Sequence, residues 1–147
     1  MNQSIRVLHV DDDPEFRELT ATYLEQQNDS FIVDTASNTT DGRASMRKQL
    51  PDCIVADYEM PEENGIELLQ TIRDEFAEIP FILFTGKGSE EVASEAISAG
   101  VTDYLQKGTG TEQYELLANR IETAVGQYRA EQKLERKNDL FKKTQHL

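Results

Sequence analysis

The chain has 147 residues, 37% of them hydrophobic, enough for one domain around one core with a short appendage. Its 28 acidic and 15 basic residues leave a net charge of −13, which argues against direct binding to a nucleic-acid backbone. No apolar run approaches the ~20 residues of a membrane span, and the lone cysteine, Cys53, rules out an intrachain disulfide, so a cytoplasmic protein is expected.

The first apolar run, Ile5–Val10, is nearly continuous, as in a strand buried on both faces, and contains one polar residue, His9, read as a satisfied core side chain. Asp13 followed by Pro14 is an N-cap with proline at the first helical position, and Phe16, Leu19, Tyr23 and Leu24 form the apolar stripe of the helix that follows. Phe31–Thr35 is a second strand. A second helix is expected around Ala44 to Leu50, stopped by Pro51. Cys53–Ala56 is the third strand, again wholly apolar. Ile66, Leu69, Ile72 and Phe76 mark a third helix, stopped by Pro80, and Phe81–Phe84 is the fourth strand. Ser89 caps a fourth helix that runs to Gly100, which suits the residue just past a helix end. After a fifth strand, Asp103–Leu105, Thr109 and Glu112 have the spacing of a capping box for a fifth helix. Five alternations of strand and helix call for right-handed crossovers around a parallel sheet.

The fifth helix is too long for such a domain. Tyr114, Leu117, Ile121, Ala124 and Tyr128 step by three and four; the seam then falters at Glu131 and Glu135 and resumes at Leu134 and Phe141. The spacing predicts a domain over residues 1–126 and a helical linker or tail over 127–147. The tail carries six bases and three acids, so residues 1–126 hold a charge of −16. That surplus reads as adaptation to a high-salt, halophilic interior, where screening removes the repulsion.

In open parallel sheets, functional groups gather at the carboxyl ends of the strands. Here those ends present Asp11, Asp12 and Asp13, then Asp57, then Thr85, and finally Lys107. Singly, each has an ordinary structural reading: a helix cap, a turn opener, a strand end, a surface charge. Jointly they place carboxylates, a hydroxyl and an ammonium on one edge. Clustered carboxylates repel unless a cation intervenes, and a hard divalent ion such as Mg²⁺ suits a site with few carboxylates and places left for phosphate oxygens. With Lys107 as a second fixed positive charge, the set can hold the charge of a transferring phosphoryl group, and Asp57 becomes the plausible nucleophile.

These motifs resemble the response-regulator receiver family over roughly residues 4–122. They are Val10-Asp11-Asp12-Asp13-Pro14, Ile54-Val55-Ala56-Asp57-Tyr58-Glu59-Met60-Pro61, Asn64-Gly65, Phe84-Thr85-Gly86, and Ala99-Gly100-Val101 leading to Asp103-Tyr104-Leu105 and Lys107. The resemblance implies a flavodoxin-like, doubly wound five-stranded sheet of order 2-1-3-4-5, with the extended C-terminal helix added to it. It implies that Asp57 accepts a phosphoryl group from a histidine kinase or phosphotransfer protein in a Mg²⁺-dependent reaction. Asp12 and Asp57 would ligate the metal directly, Asp11 through water, and Glu59 by its main-chain carbonyl; Lys107 would pair with the phosphoryl group. Thr85 and Tyr104 would be the switch pair, and the chain would catalyse only its own phosphorylation and dephosphorylation. Two residues depart from the family: Gly108 follows the lysine where proline is usual, and Asn64 stands where aspartate often precedes the glycine. Glu59 and Lys87 lie where their charges could pair across the path of hydrolytic water.

Other functions on the same residues are a Mg²⁺-dependent aspartyl phosphatase, for which no substrate loop is long enough, and a degenerate receiver acting as a protein scaffold. A flavin-binding module of the same fold finds no loop built for it. The tail around Glu131–Phe141 resembles the helical linkers that join receivers to sensor or histidine-kinase modules, and its helix offers a surface for a homodimer.

Overall fold

The apolar runs become five parallel strands because each alternates its side chains between two helical layers. A computed structural model of the chain describes residues 3–76, 78–86 and 88–145. The elements are β1 (Ile5–Val10), α1 (Pro14–Gln27), β2 (Phe31–Ala36), α2 (Thr39–Lys48), β3 (Cys53–Ala56), α3 (Gly65–Glu75), β4 (Phe81–Thr85), α4 (Glu90–Ser98), β5 (Asp103–Gln106) and α5 (Glu112–Gln145). The sheet order is β2-β1-β3-β4-β5, with every neighbouring pair parallel. Along β1, Leu8 and Val10 face one core with Ile54, Leu69, Ile72, Phe81 and Leu83. Ile5 and Val7 face the other with Leu24, Val55, Ile82, Phe84, Leu117 and Ile121. Two-sided burial is why β1, β3 and β4 are continuous apolar runs, while the edge strands β2 and β5 are only partly buried.

Local chemistry sets the helix ends. Asp13 accepts from the N–H groups of Glu15 and Phe16 at 3.1 and 3.2 Å, so it caps α1. Asn64 and Glu67 form a reciprocal capping box at α3. At the end of α4, Gly100 has φ +90 and donates to Ile97 O at 3.1 Å, while Val101 donates to Ala96 O at 3.0 Å, the Schellman pattern expected of a glycine there.

Three sequence expectations are revised. Helix α2 begins at Thr39, a turn and more before the apolar pattern announces it. Its first turns rest on Asn38, whose side chain accepts the Asp41 N–H at 2.8 Å, and on Gly42, where a Cβ would meet Val10 at 3.2 Å. The first turn pressed that closely on β1 carries no apolar side chain to reveal it; Met46, which enters the core, comes only later in the helix. Thr109 does not cap α5, which starts only at Glu112; Gln113 instead accepts from Gly108 N–H at 3.1 Å and donates to Gly110 O at 2.9 Å. His9 is buried in the core, yet both its ring nitrogens lack a hydrogen-bond partner among the described residues.

Helix α5 packs Leu117, Ile121 and Val125 on the sheet. Beyond Gly126, Arg129 donates to Ser4 O at 2.7 Å and lies 3.4 Å from Asp52, and Gln132 donates to Glu78 at 3.4 Å. Farther on, Leu134, Leu140 and Phe141 are 59%, 65% and 63% exposed. No helix among the described residues is long and apolar enough to cross a membrane.

Candidate functional site

The four strand ends named above converge. Asp11 and Asp12 follow β1, Asp57 follows β3, Thr85 closes β4, and Lys107 follows β5. Carboxylate oxygens of Asp11, Asp12 and Asp57 lie within 4.8 Å of one another. Asp11 and Asp57 are buried, whereas Asp12 is exposed at the rim. The Lys107 ammonium donates to Asp11 Oδ2 at 2.8 Å and to Asp57 Oδ2 at 3.2 Å. It also stands 4.2 Å from the centroid of the Phe16 ring.

The two buried carboxylates are oriented by the main chain. Asp11 Oδ1 accepts the Asp13 N–H at 2.9 Å, and Asp57 Oδ1 accepts the Tyr58 N–H at 2.8 Å. The close approach of α3 fixes the loop after Asp57. A Cβ on Gly65 would fall 2.2 Å from Asp57 O, so only glycine admits this packing. Arg43 of α2 secures the same loop from the other side. Its guanidinium donates to both carboxylate oxygens of Glu63 at 2.7 and 2.8 Å, and Thr39 donates to Glu63 at 3.2 Å. Burial pulls the Lys107 pKa down, but the hydrogen bond and charge of Asp11, joined by Asp57, outweigh it; the net shift is upward and the side chain stays an ammonium.

Asp11, Asp12, Asp57, Thr85 and Lys107 are thus brought to one edge. Thr85 is almost wholly buried, and Tyr104, one strand over, is half-buried against the core that lies under α3 and α4. Glu59 sits exposed two residues beyond Asp57. Lys87, expected to face Glu59, lies outside the described residues. Sequence reasoning missed Phe16 as part of this site: its place in the apolar stripe of α1 marked it as core, and nothing local reveals that its ring meets Lys107. The Arg43–Glu63 pair was missed too, since the residues belong to different elements with no periodic relation.

Three close carboxylates beside a fixed ammonium form a hard-oxygen donor set, suited to a small divalent cation and an anion bound together.

A family model described as a response regulator receiver domain matches residues 7–119. The chain is 29% identical over 124 residues to a probable C4-dicarboxylate response regulator of Halalkalibacterium halodurans, covering 84% of this chain and 51% of that one. It is 28% identical to the response regulator Rre1 of Synechocystis, covering 82% and 53%. The chain therefore spans about half the length of these relatives. Among solved structures, the chemotaxis protein CheY4 of Vibrio cholerae superposes with a TM-score of 0.73 at 26% identity, covering 80% of this chain and 98% of that one.

Proposed function

The chain belongs to the response regulator receiver family, and from that premise we propose that Asp57 is its phosphoacceptor, charged by a histidine kinase or phosphotransfer protein. The observation that carries this reading is the Lys107 ammonium bridging Asp11 and Asp57 at 2.8 and 3.2 Å, with Asp12 beside them. An Asp57 carboxylate oxygen attacks phosphorus in the partner's phosphohistidine. The O–P bond of an acyl phosphate forms as the N–P bond breaks, and the imidazole keeps the electron pair. Lys107 holds the phosphoryl oxygens electrostatically, and the buried Thr85 hydroxyl donates to one of them. Mg²⁺ would be held by Asp12, Asp57 and the Glu59 carbonyl, with Asp11 acting through water, a reading that the close Asp11, Asp12 and Asp57 carboxylates support. When bound, the ion neutralises the charge on the phosphoryl oxygens. Thr85 and Tyr104 then carry the switch: the hydroxyl moves toward the phosphoryl group and the ring turns inward behind it. Phosphorylation adds about −1.5 to −2 charge and three acceptor oxygens, enough to bias a two-state surface.

Residues 1–126 act as the receiver and 127–147 as a helical linker whose first turns are clamped by Arg129 and Gln132. The chain works in the cytoplasm, where the lone, buried Cys53 stays reduced.

Incubation with acetyl phosphate, with and without Mg²⁺, tests the assignment on wild type and Asp57→Asn by intact-protein mass. One Mg²⁺-dependent phosphoryl adduct, absent from the variant, is expected. No adduct under any condition would point to a protein scaffold. Steady release of phosphate without an adduct would point to an aspartyl phosphatase. The exposed Leu134 and Phe141, seven residues apart on α5, support a homodimer; sedimentation should show it with beryllofluoride bound, and monomer under every condition would remove it.

A further inference from the structure

Lys107 stands on main chain held by hydrogen bonds rather than by side-chain packing, with Gln113 accepting from Gly108 N–H and donating to Gly110 O. The Lys107 N–H donates to Thr85 O at 2.9 Å. The next residues are Gly108, Thr109 and Gly110, and no atom of the described residues lies within 4 Å of where a Cβ would stand on either glycine. The ammonium sits at the end of a flexible four-carbon stem, yet three groups meet it: Asp11 at 2.8 Å, Asp57 at 3.2 Å and the Phe16 ring at 4.2 Å. Two of the three are carboxylates whose charge the proposed reaction redistributes. Asp57 becomes an acyl phosphate, and Asp11 serves the metal. The ring is the one partner of the three that neither takes the phosphoryl group nor serves the metal.

That ring is itself well fixed. It stands 5.7 Å from Phe84 on β4, 6.0 Å from Tyr114 on α5 and 6.0 Å, edge on, from His9 on β1. Tyr114 in turn stacks on Tyr23 of α1 at 4.8 Å, nearly parallel. The cluster spans β1, β4, α1 and α5 and presents the negative face of the Phe16 ring to the ammonium. It also covers one side of the lysine with apolar surface, which strengthens the attraction of the charge to the carboxylates.

We propose that Phe16 is a positioning residue for Lys107, its ring face holding the ammonium between Asp11 and Asp57 while a phosphoryl group arrives. This role rests on Asp57 being the phosphoacceptor and on Lys107 pairing with the phosphoryl group.

The test replaces Phe16 site-specifically with mono-, di- and pentafluorinated phenylalanine, which keep the ring's shape while weakening and then reversing its negative face, and adds Phe16→Leu for comparison. Two quantities are read: the rate of adduct formation from acetyl phosphate at saturating Mg²⁺, and proton exchange of the Lys107 ammonium by NMR in the metal-free protein. The rate should fall stepwise along the series, reaching roughly 5- to 30-fold at the pentafluorinated ring, the range for a partly desolvated cation–π contact. Ammonium exchange should quicken in the same order, while the circular-dichroism spectrum stays that of the folded wild type. Equal rates and equal exchange across the series would overturn the proposal, since a ring that merely fills space is blind to fluorination. A wild type that takes no phosphoryl group would instead sink the functional reading. The exchange series would then still decide whether the ring holds the lysine.

Discussion

His9 is buried beside the site with both ring nitrogens unpartnered among the described residues. It is wholly buried on β1, and its Nε2 lies 3.9 Å from Asp11 Oδ2, too far for a hydrogen bond. Burial first, and the nearby Lys107 charge second, lower its pKa to about 3, so the ring is neutral at every physiological pH. The unfolded chain, by contrast, protonates near the ordinary 6.5. Above that value neither state holds the extra proton and the folded state suffers no penalty. As pH falls below it the unfolded chain binds a proton that the folded chain refuses, and stability drops by up to about 1.4 kcal/mol per pH unit toward pH 3. His9→Leu removes both unpartnered nitrogens and that titration. It is expected to be more stable than wild type by about 1 kcal/mol at pH 7, with a margin that widens on acidification. Urea unfolding of both proteins at pH 7, 6 and 5 checks this; a constant difference across the three would refute the assigned titration.

At the scale of elements, Arg73 of α3 shows how much rests on side chains that reach main chain. Its guanidinium donates to Gly100 O at 2.8 Å and to Ile79 O at 2.6 Å, and lies 3.4 Å from Thr102 Oγ1, which itself accepts the Phe81 N–H at 2.9 Å. One side chain therefore ties α3 to the entry of β4 and to the Schellman turn between α4 and β5. Arg73→Ala leaves those carbonyls without their charged donor and should cost about 2–3 kcal/mol. Hydrogen exchange should quicken at Gly100 and Val101 before it does in β1; exchange rising evenly across the sheet would contradict a local staple. Such staples were not legible in the sequence, and the reason is physical. Strands announce themselves because burial on both faces forces a continuous apolar run, as in Cys53–Ala56, and the site announces itself because its residues stand at the ends of those runs. Asp57 and Lys107 could be placed by strand position alone. Arg73, the Arg43–Glu63 pair and the ring of Phe16 act across sequence gaps that no periodicity links. Helix α2 hid for a related reason: with Gly42 against Val10, close backbone approach replaces the apolar side chain that would have marked its start.

Over the whole molecule, charge is the dominant unbalanced term. Residues 1–126 carry −16, and their nine basic side chains cannot neutralise that surplus. Several are already committed, Arg6 to Asp34, Arg43 to Glu63, Lys107 to Asp11 and Asp57, and Arg120 to Asp103. The remaining carboxylates repel one another more in the compact state than in the expanded chain, so folding works against their field. The range of that repulsion is about 10 Å at 0.1 M salt and about 3 Å at 1 M. At low ionic strength it therefore reaches across whole helices; in molar salt it is confined to immediate neighbours. If the acidic surface is an adaptation to a salty interior, raising KCl from 0.1 to 1 M should stabilise the protein. A gain of about 1–2 kcal/mol would lift the melting midpoint by roughly 3–8 °C for a domain of this size. Replacing the exposed Glu18, Glu95 and Glu115 together by glutamine separates screening from any general effect of the salt. That variant should start from a higher midpoint at 0.1 M KCl and gain less on reaching 1 M. A wild type that gains nothing from molar KCl, or a variant that gains just as much, would show that the acidic surface is not what salt relieves.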